Sequence, residues 1–288
     1  MTARVRDLGE LDDPVLVFGG PYSNLEATEA LLAAAADHGV PAERTICTGD
    51  VVAYCADAEL TTRRIRETGM PVVMGNCEES LGNEAEDCGC GFEEGSACDV
   101  LSRSWYAFAM AELTAGSRQW MAGLPREIRF RLGGRNFVAV HGGAREISRF
   151  IFASEPEAEL NGEIDALATD AVIGGHCGVP FTRGLGARLW HNAGVIGVPA
   201  NDGTPRVWYS MLTPGPDGIR VSRHALSYDH EAAAVKMRRC GLPEGYAAAL
   251  ETGLWPSLDV LPEAEKAATG VALAEHEVFW PAGAAIAA

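Results

Sequence analysis

The sequence predicts an α/β fold built on a parallel, helix-covered sheet. Two observations carry that prediction. Strand and helix patterns alternate three times within the first 75 residues. Asp50, Asn76, His141 and His176 each stand at or just past the end of a strand pattern, beside a glycine. Ligands of open α/β sheets bind outside the carboxyl ends of the strands, so the four point to one shared site. Any one of them alone would read as a hydrogen-bonded structural residue.

The elements follow in order. Pro14 to Phe18 is an unbroken apolar run closed by Gly19-Gly20, which reads as a buried strand. A helical face follows in Leu25, Thr28, Leu31, Leu32 and Ala35, with Gly39 as its stop. Arg44 to Cys47, Ala58 to Thr68 and Pro71 to Met74 read as strand, helix and strand. Residues 78–98 are acidic and rich in Gly and Cys without a period, so they read as a loop insertion. Helix resumes from Val100 to Leu113. From Glu127 strands dominate: Ile128 to Leu132, Asn136 to His141, Ala171 to Gly174, Ala187 to Trp190, Arg206 to Leu212 and Gly218 to His224. Two helices, His230 to Arg239 and Pro243 to Thr252, close a domain over residues 1–252 whose core starts near 14.

Residues 253–288 read as an appended C-terminal extension. It carries Leu254-Trp255-Pro256 and Phe279-Trp280-Pro281 and ends in Gly-Ala-Ala-Ile-Ala-Ala. Aromatic–Pro pairs need cover, either from a groove on the same chain or from a second copy in a homo-oligomer.

Composition sets the outer bounds. The 288 residues are 47% hydrophobic and 22% charged, an ordinary globular balance. No apolar run nears the ~18 residues of a membrane helix, and the N-terminus lacks the apolar stretch of a leader. The expectation is a cytoplasmic protein without a membrane partner, its eight cysteines reduced. Lys and Arg number 23 against 40 Asp and Glu, a formal charge of −17. That surface repels nucleic acid and other polyanions.

Several segments, in order, carry a family resemblance: Ser23-Asn24-Leu25-Glu26-Ala27, Gly49-Asp50-Val51-Val52-Ala53-Tyr54, Val73-Met74-Gly75-Asn76, His141-Gly142-Gly143, Gly175-His176 with Val179-Pro180-Phe181, and Asn192 to Gly197. Across about residues 14–252 the chain resembles the calcineurin-like metallophosphoesterases, in particular their small bacterial and archaeal phosphodiesterase-like branch. The resemblance implies a four-layer α/β/β/α sandwich, a two-metal centre between the sheets and hydrolysis of phosphate esters. It also implies a ligand set for each metal. The second set survives whole as Asp50, Asn76, His141 and His176. Of the first set, besides the bridging Asp50, the Asp and His of the first motif are Gly20 and Tyr22, and the last His is Gly178. Cys77 stands where the family has the His that protonates the leaving group, although Glu78 is kept.

The expectation is therefore one divalent ion, with Mn, Zn, Fe and Ni not distinguished, and an altered first site. Losing one clamp and one acid raises the barrier by several kcal/mol, where each 1.36 kcal/mol is tenfold in rate.

Cys55, Cys77 and Cys177 fall in or beside these motifs, and Cys88, Cys90 and Cys98 lie in the following loop. Cys77, Cys88, Cys90, Cys98 and Cys177 could supply soft ligands that rebuild the emptied site or hold a second, soft-metal centre. They could instead be space-filling thiols, or a disulfide could join two of Cys88, Cys90 and Cys98. The loop is expected to close over the site, bringing one of these near Cys77 or Cys177. Tyr22 either fills vacated volume or offers a phenolate to iron. Arg145 either meets a phosphate or pairs with an acidic neighbour. His191 is a structural or a site histidine.

Three functions remain: a divergent phosphoesterase acting on a small phosphate ester, a non-catalytic descendant that binds a metal or a phosphate ligand, and a thiol-rich metal or redox protein.

Overall fold

The computed structural model describes residues 4–282, so the Ala-rich end of the C-terminal extension lies outside the described residues. Alternation along the strands decides the layers. In β2 (Val15–Phe18), Val15 and Val17 enter one apolar cluster, Leu16 and Phe18 another, and all four are buried. Successive side chains of a strand point to opposite faces, so β2 is covered on both sides. In β5 (Arg135–Ala139), Phe137 and Ala139 join Val15 and Val17, while Val138 faces a third cluster. The cluster that β2 and β5 share is therefore the inner layer between two sheets.

One sheet runs, in spatial order, β1 (Val5–Leu11), β4 (Glu127–Leu132), β5, β6 (Ala171–Gly174), β8 (Arg188–Asn192) and β7 (Phe181–Leu185). The other runs β11 (His276–Pro281), β10 (Gly218–Leu226), β9 (Val207–Gly215), β2 and β3 (Thr45–Cys47). Helices α1 (Leu25–Asp37), α2 (Ala58–Thr68), α7 (His230–Arg239) and α8 (Glu244–Thr252) cover the second sheet through Leu31, Ile65, Ala234 and Leu250. Helix α6 (Glu157–Leu167) covers the first through Leu160 and Ile164. The result is an α/β/β/α sandwich. Among the described residues no helix is long and apolar enough to cross a membrane.

Besides α6 and β7, which the sequence reading did not anticipate, three segments differ from it. Val5–Leu11 is a strand parallel to β4, so ordered structure begins before residue 14. Only Leu8 and Leu11 of it pack on the core, which left no alternation to read. The loop insertion opens as helix α3 (Asn76–Gly82), because the Glu78 carboxylate reaches back to the Gly75 N–H and closes the first turn. Helix α4 (Ala97–Glu112) then starts three residues early, capped by Ser96. Finally, part of the C-terminal extension pairs with β10 over its whole length as β11. Trp280 is buried there, edge-on to Phe137. This aromatic–Pro pair finds its cover on its own chain.

Candidate metal centre

Asp50 and His176 leave the ends of β3 and β6 on strained turns, His141 follows β5, and Asn76 opens α3. Asp50 has φ 57° and His176 φ 56°, left-handed values that cost a non-glycine residue on the order of 1–3 kcal/mol. Glu78 holds the first of these turns. Its Oε2 accepts from the Asp50 N–H at 2.7 Å and the Gly75 N–H at 2.9 Å, and its Oε1 accepts from the Val51 N–H at 2.8 Å. One fully buried carboxylate thus ties the loop after β3 to the start of α3. Burial, with the nearby charge of Asp50 added, pushes the Glu78 carboxyl up to about 7. Gly75 is required where it stands, because a Cβ there would overlap the Asp50 carboxylate.

The donor atoms converge on one point. His141 Nδ1 donates to the Thr48 carbonyl at 2.7 Å, which leaves a lone pair on Nε2 of the neutral ring. That Nε2 faces Asn76 Oδ1 at 3.0 Å, His176 Nδ1 at 3.0 Å and Asp50 Oδ2 at 3.2 Å. The Asn76 amide is turned by its own nitrogen, which donates to the Cys88 carbonyl at 2.9 Å. All four side chains are buried. Among the described residues, Asp50, His141 and His176 form the group whose donor atoms lie within 4.8 Å of one another.

Acceptors packed against acceptors repel unless a proton or a cation sits between them. The protonation preferences register this conflict. At His141 burial favours the neutral ring, but the charge and hydrogen bond of Asp50, the Thr48 carbonyl and the Glu78 charge together raise the imidazole. At Asp50 burial is again outweighed, by the His141 ring, and the carboxyl is lowered. Burial, helped by His141, lowers His176 to about 3. Four ligands about 2.1 Å from one tetrahedral ion would stand about 3.4 Å apart. The separations of 3.0 to 3.2 Å around His141 Nε2 are close to that. Two imidazoles, a carboxylate and an amide oxygen are also the donor types that a borderline divalent ion accepts. The residues present fit such an ion.

The calcineurin-like phosphoesterase superfamily domain matches residues 23–213. The chain belongs to that superfamily. An uncharacterized protein of Methanocaldococcus jannaschii is 24% identical over 248 residues, spanning 80% of this chain and 94% of that protein. A metallophosphoesterase from Sphaerobacter thermophilus is 24% identical and superposes with a TM-score of 0.66, over 85% of this chain and all of that one. A hypothetical protein from Pyrococcus horikoshii OT3, 15% identical with the same coverage, gives 0.71. These likenesses show the two-sheet metallophosphoesterase fold.

The positions that the superfamily resemblance assigns to the first metal are occupied by carbon. A Cβ on Gly20 would come 2.5 Å from the Tyr22 ring and 2.7 Å from Val195. A Cβ on Gly178 would come 3.2 Å from the Trp255 ring. Tyr22 is buried edge-on to Tyr54, with ring centroids 4.8 Å apart. The second oxygen of Asp50, which would bridge two ions, accepts from the Cys77 N–H at 3.2 Å.

The remaining candidates are dispersed. Cys88 and Cys90 are joined in a disulfide, the pairing left open as an alternative to reduced thiols and to soft metal ligands. Cys77 and Cys90 both place sulfur within 3.5 Å of the Asn76 amide nitrogen, so the loop does reach Cys77. Cys98 and Cys177 both line an apolar cavity beside His176. Among the described residues no sulfur joins the Asp50, His141 and His176 group. Arg145 is exposed on a polar cleft of about 350 Å³ that also borders His141. His191 is buried and bonded to Thr182 at 2.9 Å. Sequence reasoning kept Glu78 only as a motif match and missed its part in tying the loops; the adjacent Glu78 and Glu79 gave no sign of which one turned inward.

Proposed function

We propose that the chain is a divergent metal-dependent phosphoesterase that acts on a small phosphate ester with a single divalent ion, held by Asp50, Asn76, His141 and His176. What supports this most is the cluster of facing acceptors around His141 Nε2, which a cation relieves. An ion there would polarise a phosphoryl oxygen and acidify a water. The Thr48 carbonyl fixes the His141 tautomer that a ligand needs, and Cys88, through its carbonyl, fixes the Asn76 amide. Cys77 gives the leaving group little help. Burial, with Asp50 and Glu78 added, pushes its thiol well above the usual range, and a thiol is a weak hydrogen-bond donor. Esters with good leaving groups should therefore react first. Arg145, on the polar cleft, is the candidate contact for the anion.

The filled first-metal positions favour a second reading, a non-catalytic binder of a metal or a phosphate ligand. Titrating metal-stripped protein with Mn or Zn tests the centre. One equivalent should bind, His141→Ala should weaken binding by a factor of about 100, and His224→Ala should leave it unchanged. Two equivalents would refute the single ion. Metal-dependent hydrolysis of 4-nitrophenyl phosphate that His141→Ala abolishes separates the enzyme from the binder.

A further inference from the structure

Where the resemblance puts a first metal, the molecule has instead a small apolar cavity. Tyr22, Tyr54, Phe92, Phe150 and Trp255 contribute rings to its wall, and His176 closes one side. No charged side chain lines it. The rings hold one another: Tyr54 and Tyr246 centroids are 4.7 Å apart, and Phe150 lies 4.2 Å from the His176 ring. These residues come from five separate stretches of the chain, including the cysteine loop and the C-terminal extension. Trp255 is pinned by its indole N–H to the Pro199 carbonyl at 2.7 Å and by its backbone N–H to Asn201 at 2.9 Å. His176 belongs to both the cavity wall and the converging acceptor group. A molecule in the cavity therefore sits one imidazole ring away from the centre.

We propose that this cavity binds the organic half of the ester, and that the group it selects is a single, uncharged aromatic ring. The inference rests on the single-ion reading above and specifies the substrate class for that site. Three observations choose the occupant. The aromatic wall offers edge-to-face and stacked contacts, which favour a flat ring over a branched alkyl group. The lack of any carboxylate in the wall gives an organic cation no counter-charge. The cavity opens to solvent on one side and has a volume of about 70 Å³. That is about half of the ~150 Å³ in which benzene rests in a protein core, so one ring fits with its edge in the mouth and two fused rings do not.

Binding must be separated from reactivity, because aryl esters also carry better leaving groups. Phenylphosphonate and methylphosphonate, which have no bond to hydrolyse, do this. With metal-loaded protein, calorimetry should find phenylphosphonate bound about tenfold more tightly than methylphosphonate. Naphthylphosphonate should gain nothing over the phenyl compound. Trp255→Ala should bring the phenyl-to-methyl ratio near one, and Cys98→Phe, which fills the cavity without opening the wall, should do the same. Equal affinities in the parent protein, or a ratio that survives both variants, would overturn the cavity assignment and leave the metal centre standing. If neither phosphonate binds, a metal titration of the same sample tells the readings apart. Uptake of one equivalent strikes the substrate inference alone, and no uptake strikes both.

Discussion

The two regions where the superfamily resemblance places metal ligands differ in kind. On the His141 side, four polar atoms crowd together at hydrogen-bond distance with too few protons to share. On the Tyr22 side, ring carbons and Val195 crowd Gly20, aromatic rings wall a small apolar cavity, and glycines stand where the resemblance would attach ligands. Burial is the same on both sides, so burial alone does not make a metal site. What separates them is whether the buried atoms still need a cation. Apolar side chains can pack such a region as closely as ligands would, because interiors reward filled volume rather than polarity.

Restoring ligands to the apolar half tests that lesson hardest. Gly20→Asp puts a Cβ against Tyr22 and Val195 at a left-handed φ of 42°. It should cost about 3 kcal/mol in urea denaturation. Gly178→His, with a looser contact at 3.2 Å, should cost about 1–2 kcal/mol. The pair Gly20→Asp with Tyr22→His should cost less than Gly20→Asp alone, because the smaller imidazole lacks the outer phenol atoms that the new Cβ meets. A neutral Gly20→Asp would mean that this half is still open.

The polar half is sharpened by the group beneath it. Glu78→Gln replaces a carboxylate that serves three backbone N–H groups, and the new amide would point a donor at donors. It should destabilise the protein by about 2–3 kcal/mol. Glu79→Gln, which breaks only a half-exposed pair with Arg126, should cost under about 1 kcal/mol. Equal losses would deny Glu78 its part in holding the Asp50 turn.

A pH effect separates buried histidines by role. Burial, aided by the charge of Arg223, holds the His191 ring down at about 3. The unfolded chain takes that proton near 6.5 and the folded one does not, so stability falls as the pH drops from about 6.5 towards 3. From pH 7 to pH 5 the loss is about 2 kcal/mol. In His191→Gln, denaturation at the two pH values should show that loss removed, with metal affinity unchanged. A fall in metal affinity would place His191 in the centre after all.

Much of this was legible because the strands announce themselves. Val15 to Phe18 and Ala171 to Gly174 are apolar on both faces, as strands inside a sandwich must be, and the glycines beside Asp50, Asn76 and His176 mark where the backbone turns. Helix α6 and strand β7 were not anticipated. β7, with the sequence Phe-Thr-Arg-Gly-Leu, is an edge strand whose middle is only partly covered, so it carries no clean alternation. The aromatic cavity was invisible for another reason. Tyr22, Phe150 and Trp255 are distant in the chain, and no local pattern says that their rings meet. The function of Trp255 was narrowed to two kinds of cover, and its bonds to Pro199 and Asn201 decide for its own chain.

The order in which the ribosome delivers these parts has a consequence. Val15 of β2 pairs with Leu212 of β9, and β10 gains its other neighbour only at His276–Pro281. All four candidate ligands have been synthesised by residue 176, but the sheet that carries Asp50 is not joined to β9 until some thirty residues later. The nascent chain thus exposes acceptors that have no fixed partners for much of translation. The edge of that sheet is closed only by β11, and a chain cut short before Trp255 would carry every candidate ligand and still lack the wall beside them.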